Sequence, residues 1–524
     1  MQQVRKLLVI LKPNFILSIA VILAIIAPDF ISQIFSENNQ ATLSGKFLLG
    51  LLFFGVFLSF TPRLFTFLIL GFFILLELIQ FGHLFYYNSL ISSAKFSLLF
   101  EEFDEVLEVA QEAIAFMFLA PLVVLLPYGI FFYIFNKLEK KRIQNKWSVV
   151  TVLLMLAIIP HRVSKTYNGV NYYPDPADHS LRNSLYAYTN YLLNNINPSQ
   201  RSNQKYQDYK IEEIPKWENN QANIILIIGE SINPRHMSLF GYQKDTNPML
   251  SSFKQDPNFT YMKAISSGVN TLVSVPLLLN GIYEPNNYEA LEKIPVNLFK
   301  LAKKHNFKNF YISSQSGSLL TNVGAEFIDH TIFRKKLPIL FNKYQDEAFL
   351  KIIPELDYAK NNFIVIHQRS IHAPYEANYS HNPKFNYFSV RNNNYKDFLV
   401  DTYDNAIRFN DYLIYELINF YKNKFNGPTY IFFTPDHGEG VGNNNVYGHS
   451  NLDEEIYNVP FLSYVNNSDL SINRKEPICH YEIHNIIAHL LGFEIINPNV
   501  EKDVCYVQGT NLYGLNEFVR YKKK

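Results

Sequence analysis

The sequence predicts two unlike parts in one chain: five membrane-spanning helices, then an α/β/α domain with helices on both faces of a parallel sheet. Three observations predict this. Apolar runs crowd the first 160 of the 524 residues. From Asn223 onward, short apolar runs instead alternate with amphipathic segments. Hydrophobic residues make up 48% of the chain, yet its mean hydropathy stays close to zero, as when a membrane part and a polar part are averaged.

Composition also excludes several classes. Lys and Arg number 47 against 46 Asp and Glu, so no basic excess marks a nucleic-acid partner. Two cysteines rule out a dense disulfide scaffold and Cys-rich metal modules. The 35 Tyr and 44 Phe supply far more apolar surface than a disordered chain carries.

The five apolar runs are Phe15 to Ala27, Phe47 to Phe60, Leu64 to Phe81, Ala113 to Phe135 and Trp147 to Ile159. About 20 helical residues cross a ~30 Å hydrocarbon core, so the third and fourth runs suffice and the second and fifth are short. The first is followed by Pro28-Asp29 rather than a small-residue cleavage site, so it reads as retained. Arg5, Lys6 and Lys12, then Arg63, then the cluster from Lys137 to Lys146 lie on alternate connections, which puts the N-terminus in the cytoplasm. Five crossings deliver everything after about residue 160 to the other side. The loop from His83 to Glu112 faces that side too. Its Glu101, Glu102, Asp104, Glu105 and Glu108 interleave with apolar residues, as in an interfacial helix or a solvated acidic face.

Residues 161–218 turn polar and proline-punctuated and read as a connecting segment, with Ser180 to Asn194 as one helix. The soluble domain then runs over residues 219–524. Asn223 to Ile228, Asn309 to Ser313, Asn362 to Ile366 and Thr429 to Thr434 read as strands buried on both faces, which favours a parallel sheet. Val296 to His305 and Asp397 to Lys424 read as helices between them.

The strand ends carry the chemistry. The first ends in Gly229-Glu230-Ser231, the third in His367-Gln-Arg-Ser-Ile-His372, the fourth in Pro435-Asp436-His437-Gly438-Glu439. Ligands of open α/β sheets gather at the carboxyl ends of strands. Carboxylates and imidazoles on three such ends form a donor set for zinc or manganese. Singly, each residue could be a cap or a polar turn; their joint occurrence is what points to a metal.

With these motifs the sequence resembles the alkaline-phosphatase/sulfatase superfamily, and within it the membrane-anchored phosphoethanolamine transferases of bacterial lipopolysaccharide. The matching stretches are Gly229-Glu-Ser231, Met237 to Tyr242, Thr246-Asn-Pro248, Ser267 to Pro276, His367 to Pro374, Asp436 to Glu439 and Tyr447-Gly-His449. The resemblance implies an alkaline-phosphatase-like, sulfatase-type domain on a five-helix anchor. It implies zinc, or manganese, on Glu230, Thr271, Asp436 and His437, with Thr271 also the nucleophile. His372 and His449 match residues that bind the phosphoryl group or a second metal. Gln315 and Ser316, and more weakly Glu105, match substrate contacts. The implied reaction moves phosphoethanolamine from phosphatidylethanolamine to lipopolysaccharide, at a core sugar or lipid A, through a phosphothreonine-type intermediate. The implied location is the bacterial inner membrane, with the catalytic domain periplasmic.

Cysteines that flank the nucleophile in lipid A-modifying members are replaced here by Ser267 and Leu277, which leans the acceptor toward a core sugar. Cys479 and Cys505 leave room for one disulfide. Sulfate-ester hydrolysis needs a Cys/Ser-x-Pro-x-Arg context, and Leu278 stands at the Arg position after Ser274-Val-Pro276. A phosphoglycerol transferase of the lipoteichoic-acid type and an inactive membrane scaffold are the remaining alternatives.

Overall fold

A computed structural model describes residues 2–36, 40–87, 90–93, 95–96, 99, 118–167, 172–175, 177–196, 205–214, 222–315, 322–391, 395–468, 472, 477–510 and 517–523. Glu105 with most of its acidic loop, and Ser316, lie outside the described residues. The chain divides into two compact units, Met1–Ser199 and Gln200–Lys524.

The first unit contains helices α1 (Gln2–Ser32), α2 (Gly45–Phe60), α3 (Arg63–Tyr87), α4 (Leu119–Leu138), α5 (Trp147–Thr166) and α6 (Ser180–Ile196). Among the described residues, four stretches are long and apolar enough to cross a membrane: Ile10–Ser32, Arg63–Tyr86, Leu119–Lys141 and Trp147–Thr166. The fifth apolar run is therefore not short, because its helix continues past Pro160 to Thr166. Helix α2 has 16 residues, about 24 Å at ~1.5 Å each, which falls short of a ~30 Å core. These helices are apolar inside, at Leu17, Val21, Leu70 and Val124, and outside, at Phe15, Leu64, Leu68 and Leu154, as lipid-facing helices are.

The segment expected to connect the two parts is shared between the units. Helix α6 belongs to the first: His179 Nε2 lies 3.0 Å from Asp29 of α1, and Ser184 Oγ donates to Gln80 of α3 at 3.0 Å. Lys210–Glu213 belongs to the second, where it pairs antiparallel with Phe493–Ile496.

An eight-stranded sheet forms the second unit's frame. Its strands are β1 (Asn223–Gly229), β2 (Phe259–Ile265), β3 (Lys308–Ser313), β4 (His330–Phe333), β5 (Asn362–His367), β6 (Thr429–Pro435), β7 (Asn458–Asn466) and β8 (Ile478–Cys479). Their order is β8-β2-β7-β6-β1-β5-β3-β4. All adjacent pairs are parallel except those of β7, which runs antiparallel to both β2 and β6. The sheet is thus mixed, where the apolar runs predicted a parallel one. Helices α7 (Thr271–Asn280), α8 (Tyr395–Lys424) and α9 (His480–Leu490) flank it. Side chains alternate along a strand, so Ile224, Leu226 and Ile228 join one core with Leu278 of α7 and Ile487 of α9. Ile225 and Ile227, equally buried, point to the opposite face, and α8 contacts β6. A disulfide joins Cys479 of β8 to Cys505 in the C-terminal ribbon Val504–Gln508/Phe518–Lys522.

Candidate metal and phosphoryl-transfer centre

Strand register assembles the centre. In the parallel pair of β1 and β6, Gly229 lies opposite Pro435, so the next residues, Glu230 and Asp436, leave the sheet side by side. Gly438 then turns the chain with no room for a side chain: a Cβ there would lie 2.4 Å from the Glu455 carbonyl oxygen. Thr271 arrives from another direction, as the first residue of α7, whose end is capped by Asn270 Oδ1 accepting from Val273 N at 3.0 Å.

The donor groups of four residues meet there. Thr271 Oγ1 is 2.6 Å from Asp436 Oδ2, 3.3 Å from Glu230 Oε2 and 3.4 Å from His437 Nε2. His437 Nε2 is 3.4 Å from both Glu230 Oε1 and Asp436 Oδ2. Bonds of ~2.0 Å in a tetrahedron put ligand atoms about 3.3 Å apart, which is the spacing of most of these pairs. Both carboxylates are buried, and among the described residues no Lys or Arg lies within ion-pair distance of either. Buried charge of this kind requires a cation. The residues fit a divalent metal.

The surroundings orient each donor, as supporting groups of metal sites do. His437 Nδ1 donates to the Gly438 carbonyl at 2.9 Å, which leaves Nε2 with its lone pair toward the carboxylates. Burial opposes protonation of His437, but Asp436 and Glu230 outweigh it and raise its pKa. Glu230 accepts from Ser231 Oγ at 2.7 Å and from Gln315 Nε2 at 2.6 Å. Ser231 holds a left-handed backbone (φ 56°), fixed by its amide to Asp436 and its carbonyl to the Tyr403 hydroxyl.

A second imidazole group adjoins the first. The His449 ring lies 4.5 Å from His437 and 6.1 Å from His372 between centroids. His449 Nδ1 bonds Glu439 Oε2 at 3.0 Å, and Glu439 Oε1 accepts from the Tyr375 hydroxyl at 2.7 Å. Burial and the neighbouring His437 push the His449 pKa down. His372 Nδ1 bonds the Ala373 carbonyl at 2.6 Å.

Of the residues singled out in the sequence, Glu230, Thr271, Asp436 and His437 thus converge, with His449 and His372 beside them. Gln315 binds the Glu230 carboxylate. Ser231, Glu439 and His367 lie inside the strand-end motifs and Tyr375 just beyond one, but none of them was given an individual role. The ligand atoms of His367, Glu230 and Asp436 all lie within 4.8 Å of one another. The signal for His367 was its place at a strand end, in register with Ile228 of β1.

Fold and donor set define a metal-ready α/β/α domain in a chain that also carries membrane-length apolar helices. The family model described as Sulfatase matches residues 222–493, just over half of the chain, and the chain belongs to that family. Among curated proteins, the chain is 27% identical over 312 residues to phosphoethanolamine transferase EptA of Helicobacter pylori, covering 55% of this chain and 57% of that one. It is 26% identical over 274 residues to phosphoethanolamine transferase EptC of Escherichia coli K12, covering 47% and 45%. The chain thus spans about half the length of the curated relatives it matches. Among solved structures, the integral membrane protein lipooligosaccharide phosphoethanolamine transferase A (EptA) of Neisseria meningitidis aligns over 92% of this chain and 95% of its own, at TM-score 0.56 and 14% identity. That likeness is one of fold.

Proposed function

We propose that the protein is a metal-dependent transferase that moves phosphoethanolamine from phosphatidylethanolamine to lipopolysaccharide, with Thr271 as the covalent nucleophile. The observation that carries this reading is the Thr271 hydroxyl, 2.6 Å from Asp436 within a cage of buried carboxylates and imidazole. The likeness to two phosphoethanolamine transferases supports the transferred group. Zinc, or manganese, bound by Glu230, Thr271, Asp436 and His437, would supply the Lewis acidity that makes a threonine hydroxyl nucleophilic near neutral pH.

The chain's own residues do the rest. Thr271 gives its proton to Asp436 Oδ2 as Oγ1 bonds phosphorus, and the bond from phosphorus to the diacylglycerol oxygen breaks. His372 and His449 line the phosphoryl oxygens, while the departing oxygen takes a proton from water and Asp436 releases the one it received to solvent in exchange. The amino end of α7, the positive end of its helix dipole, favours negative charge at Thr271. An acceptor hydroxyl, on our reading a core sugar, then takes the group and restores Thr271.

The same reading has α2 as a fifth crossing completed by flanking residues, the N-terminus in the cytoplasm of a bacterial inner membrane and the catalytic unit in the periplasm. Arg5, Lys6, Lys12, Arg63 and the cluster at 137–146 support this orientation. A leaving group that stays in lipid explains an enzyme tied to a membrane.

Intact mass spectrometry after incubation with phosphatidylethanolamine and no acceptor tests the reading. The expected result is a phosphoethanolamine increment on Thr271, absent from Thr271→Ala. A phosphoglycerol adduct from phosphatidylglycerol would replace this donor with the lipoteichoic-acid-type alternative. No adduct with either lipid in metal-loaded protein would leave a scaffold.

A further inference from the structure

Edge strand β4 runs parallel to β3, so its carboxyl end lies at the same end of the sheet as Glu230, His367 and Asp436. From that end the chain continues as Arg334-Lys-Lys-Leu-Pro-Ile-Leu-Phe-Asn-Lys343. Ile339 there is 86% exposed, more than any other described large hydrophobic residue, including those on the apolar helices of the first unit. Leu337 beside it is 38% exposed. A lone exposed aliphatic residue is ordinary. This pair stands among Arg334, Lys335, Lys336 and Lys343, and residues 330–345 contain no Asp or Glu.

The segment is firmly mounted. Phe333 before it is buried, and buried Phe341 packs edge-on against Phe349 with ring centroids 5.7 Å apart. Lys336 Nζ bonds the Thr331 carbonyl and hydroxyl, both at 2.8 Å. The short helix Pro338–Tyr344 therefore keeps Ile339 out in solvent while Phe341 anchors it from beneath. Exposed aliphatic side chains ringed by cations are the composition of a surface that enters the headgroup layer of an anionic bilayer. The aliphatic groups reach the acyl boundary, and lysine stems lie along them with their ammonium groups at the phosphates.

We propose that residues 334–343 form a wedge by which the catalytic unit rests on an anionic phospholipid bilayer, with Ile339 and Leu337 inserted and the four cations against lipid phosphates. A bilayer is at hand, because the same chain carries membrane-length apolar helices, four among the described residues. The placement rests in part on the function proposed above: if the donor is a lipid, the sheet end that holds Thr271 must reach the bilayer surface. The wedge delivers that end.

The test uses the full chain in lipid nanodiscs. Both native cysteines are in the disulfide, so an introduced one takes a fluorophore alone. Ile339→Cys carries an environment-sensitive dye in discs of phosphatidylethanolamine and phosphatidylglycerol that contain a lipid-borne quencher. Leu337→Cys is the second site. Asn423→Cys is the control, exposed near the end of α8 before β6 begins and hence at the opposite end of the sheet. The expected result is roughly twofold or greater quenching and a blue shift at 339 and 337, but not at 423. Replacing Lys335, Lys336 and Lys343 together by Gln, or raising salt to about 1 M, where the screening length falls to ~3 Å, should weaken it.

Quenching at 339 and 337 no greater than at 423 overturns the wedge. So does quenching that needs an added acidic glycolipid, or that is unchanged by loss of the three lysines. The readout requires no turnover, and Thr271→Ala protein should give the same quenching. Failure of the transfer reaction and failure of the wedge are thereby distinguished.

Discussion

Gln315 donates its side-chain amide to Glu230 Oε2 at 2.6 Å while the same nitrogen bonds the Gln368 carbonyl at 3.0 Å. One side chain thus ties the end of β3 to the end of β1 and to the loop after β5. With Ser231 Oγ on Oε1, it fixes the orientation of the Glu230 carboxylate. Loss of such a supporting group usually costs 10–100-fold in affinity, so Gln315→Ala should weaken metal binding by about that factor. Titration against a chelator of known affinity measures this, and unchanged affinity would remove Gln315 from the site.

Glu439 holds His449 through Nδ1 and is itself held by Tyr375. Glu439→Gln keeps the shape and removes the charge that fixes the imidazole's tautomer. Transfer should fall by roughly 10-fold or more, with Tyr375→Phe milder because it removes one neutral hydrogen bond. Equal rates for Glu439→Gln and the unaltered protein would show that His449 needs no such partner.

Burial pushes the His484 imidazole down to about 4, while Nε2 bonds the Val296 carbonyl at 2.9 Å. Between an unfolded value near ~6.5 and this folded value, only the unfolded chain takes up the proton. This group's stabilisation is therefore full above about pH 6.5 and lost as pH falls toward 4, reaching about 2 kcal/mol by pH 5. Melting temperatures should drop from pH 7 to pH 5, and less steeply in His484→Gln. Parallel pH profiles for the two proteins would contradict this.

Gly281 closes α7 with φ of 59°, and a Cβ there would lie 2.3 Å from His484 Cε1. Gly281→Ala meets a strained backbone and a filled core together. It should destabilise the protein by about 2 kcal/mol or more in denaturant melts. A change within a few tenths of that of a surface substitution would mean that His484 can move aside.

The Cys479–Cys505 bridge spans 26 residues, a loop whose closure is worth roughly 3 kcal/mol on the chain-entropy account. Reduction, or Ser at both positions, should lower the melting temperature without removing the metal ligands. An unchanged melting temperature would show that the ribbon is held by its hydrogen bonds alone.

Legibility followed locality. Unbroken apolar runs such as Asn223 to Ile228 marked β1, β3, β5 and β6, because strands buried on both faces leave that signature. The first metal-site candidates were legible because they follow those strands directly. Strand β7 was not, because Pro460 lies in it, and a proline argues against a central strand. The structure accommodates it: Pro460 stands opposite Lys263 of β2, before the stretch Leu462–Asn466 that pairs with β6. Strand β2 alternates, with Tyr261 and Lys263 exposed, and lacks the run altogether. The contacts of Ser231, Glu439 and Tyr375 join segments up to 205 residues apart, and no local pattern announces them.

The turn that presents Thr271 leans on the far end of the sequence. Gln508 N donates to the Ser267 carbonyl at 2.8 Å, and Asn270 Nδ2 donates to the Thr510 carbonyl at 3.1 Å. This gives the centre an order in time as well as in space. A nascent chain lacking its last tens of residues already has Glu230, Asp436 and His437 but has no brace for the turn at Thr271. The turn at Thr271 is therefore braced only once the ribbon Val504–Gln508/Phe518–Lys522 has folded against it.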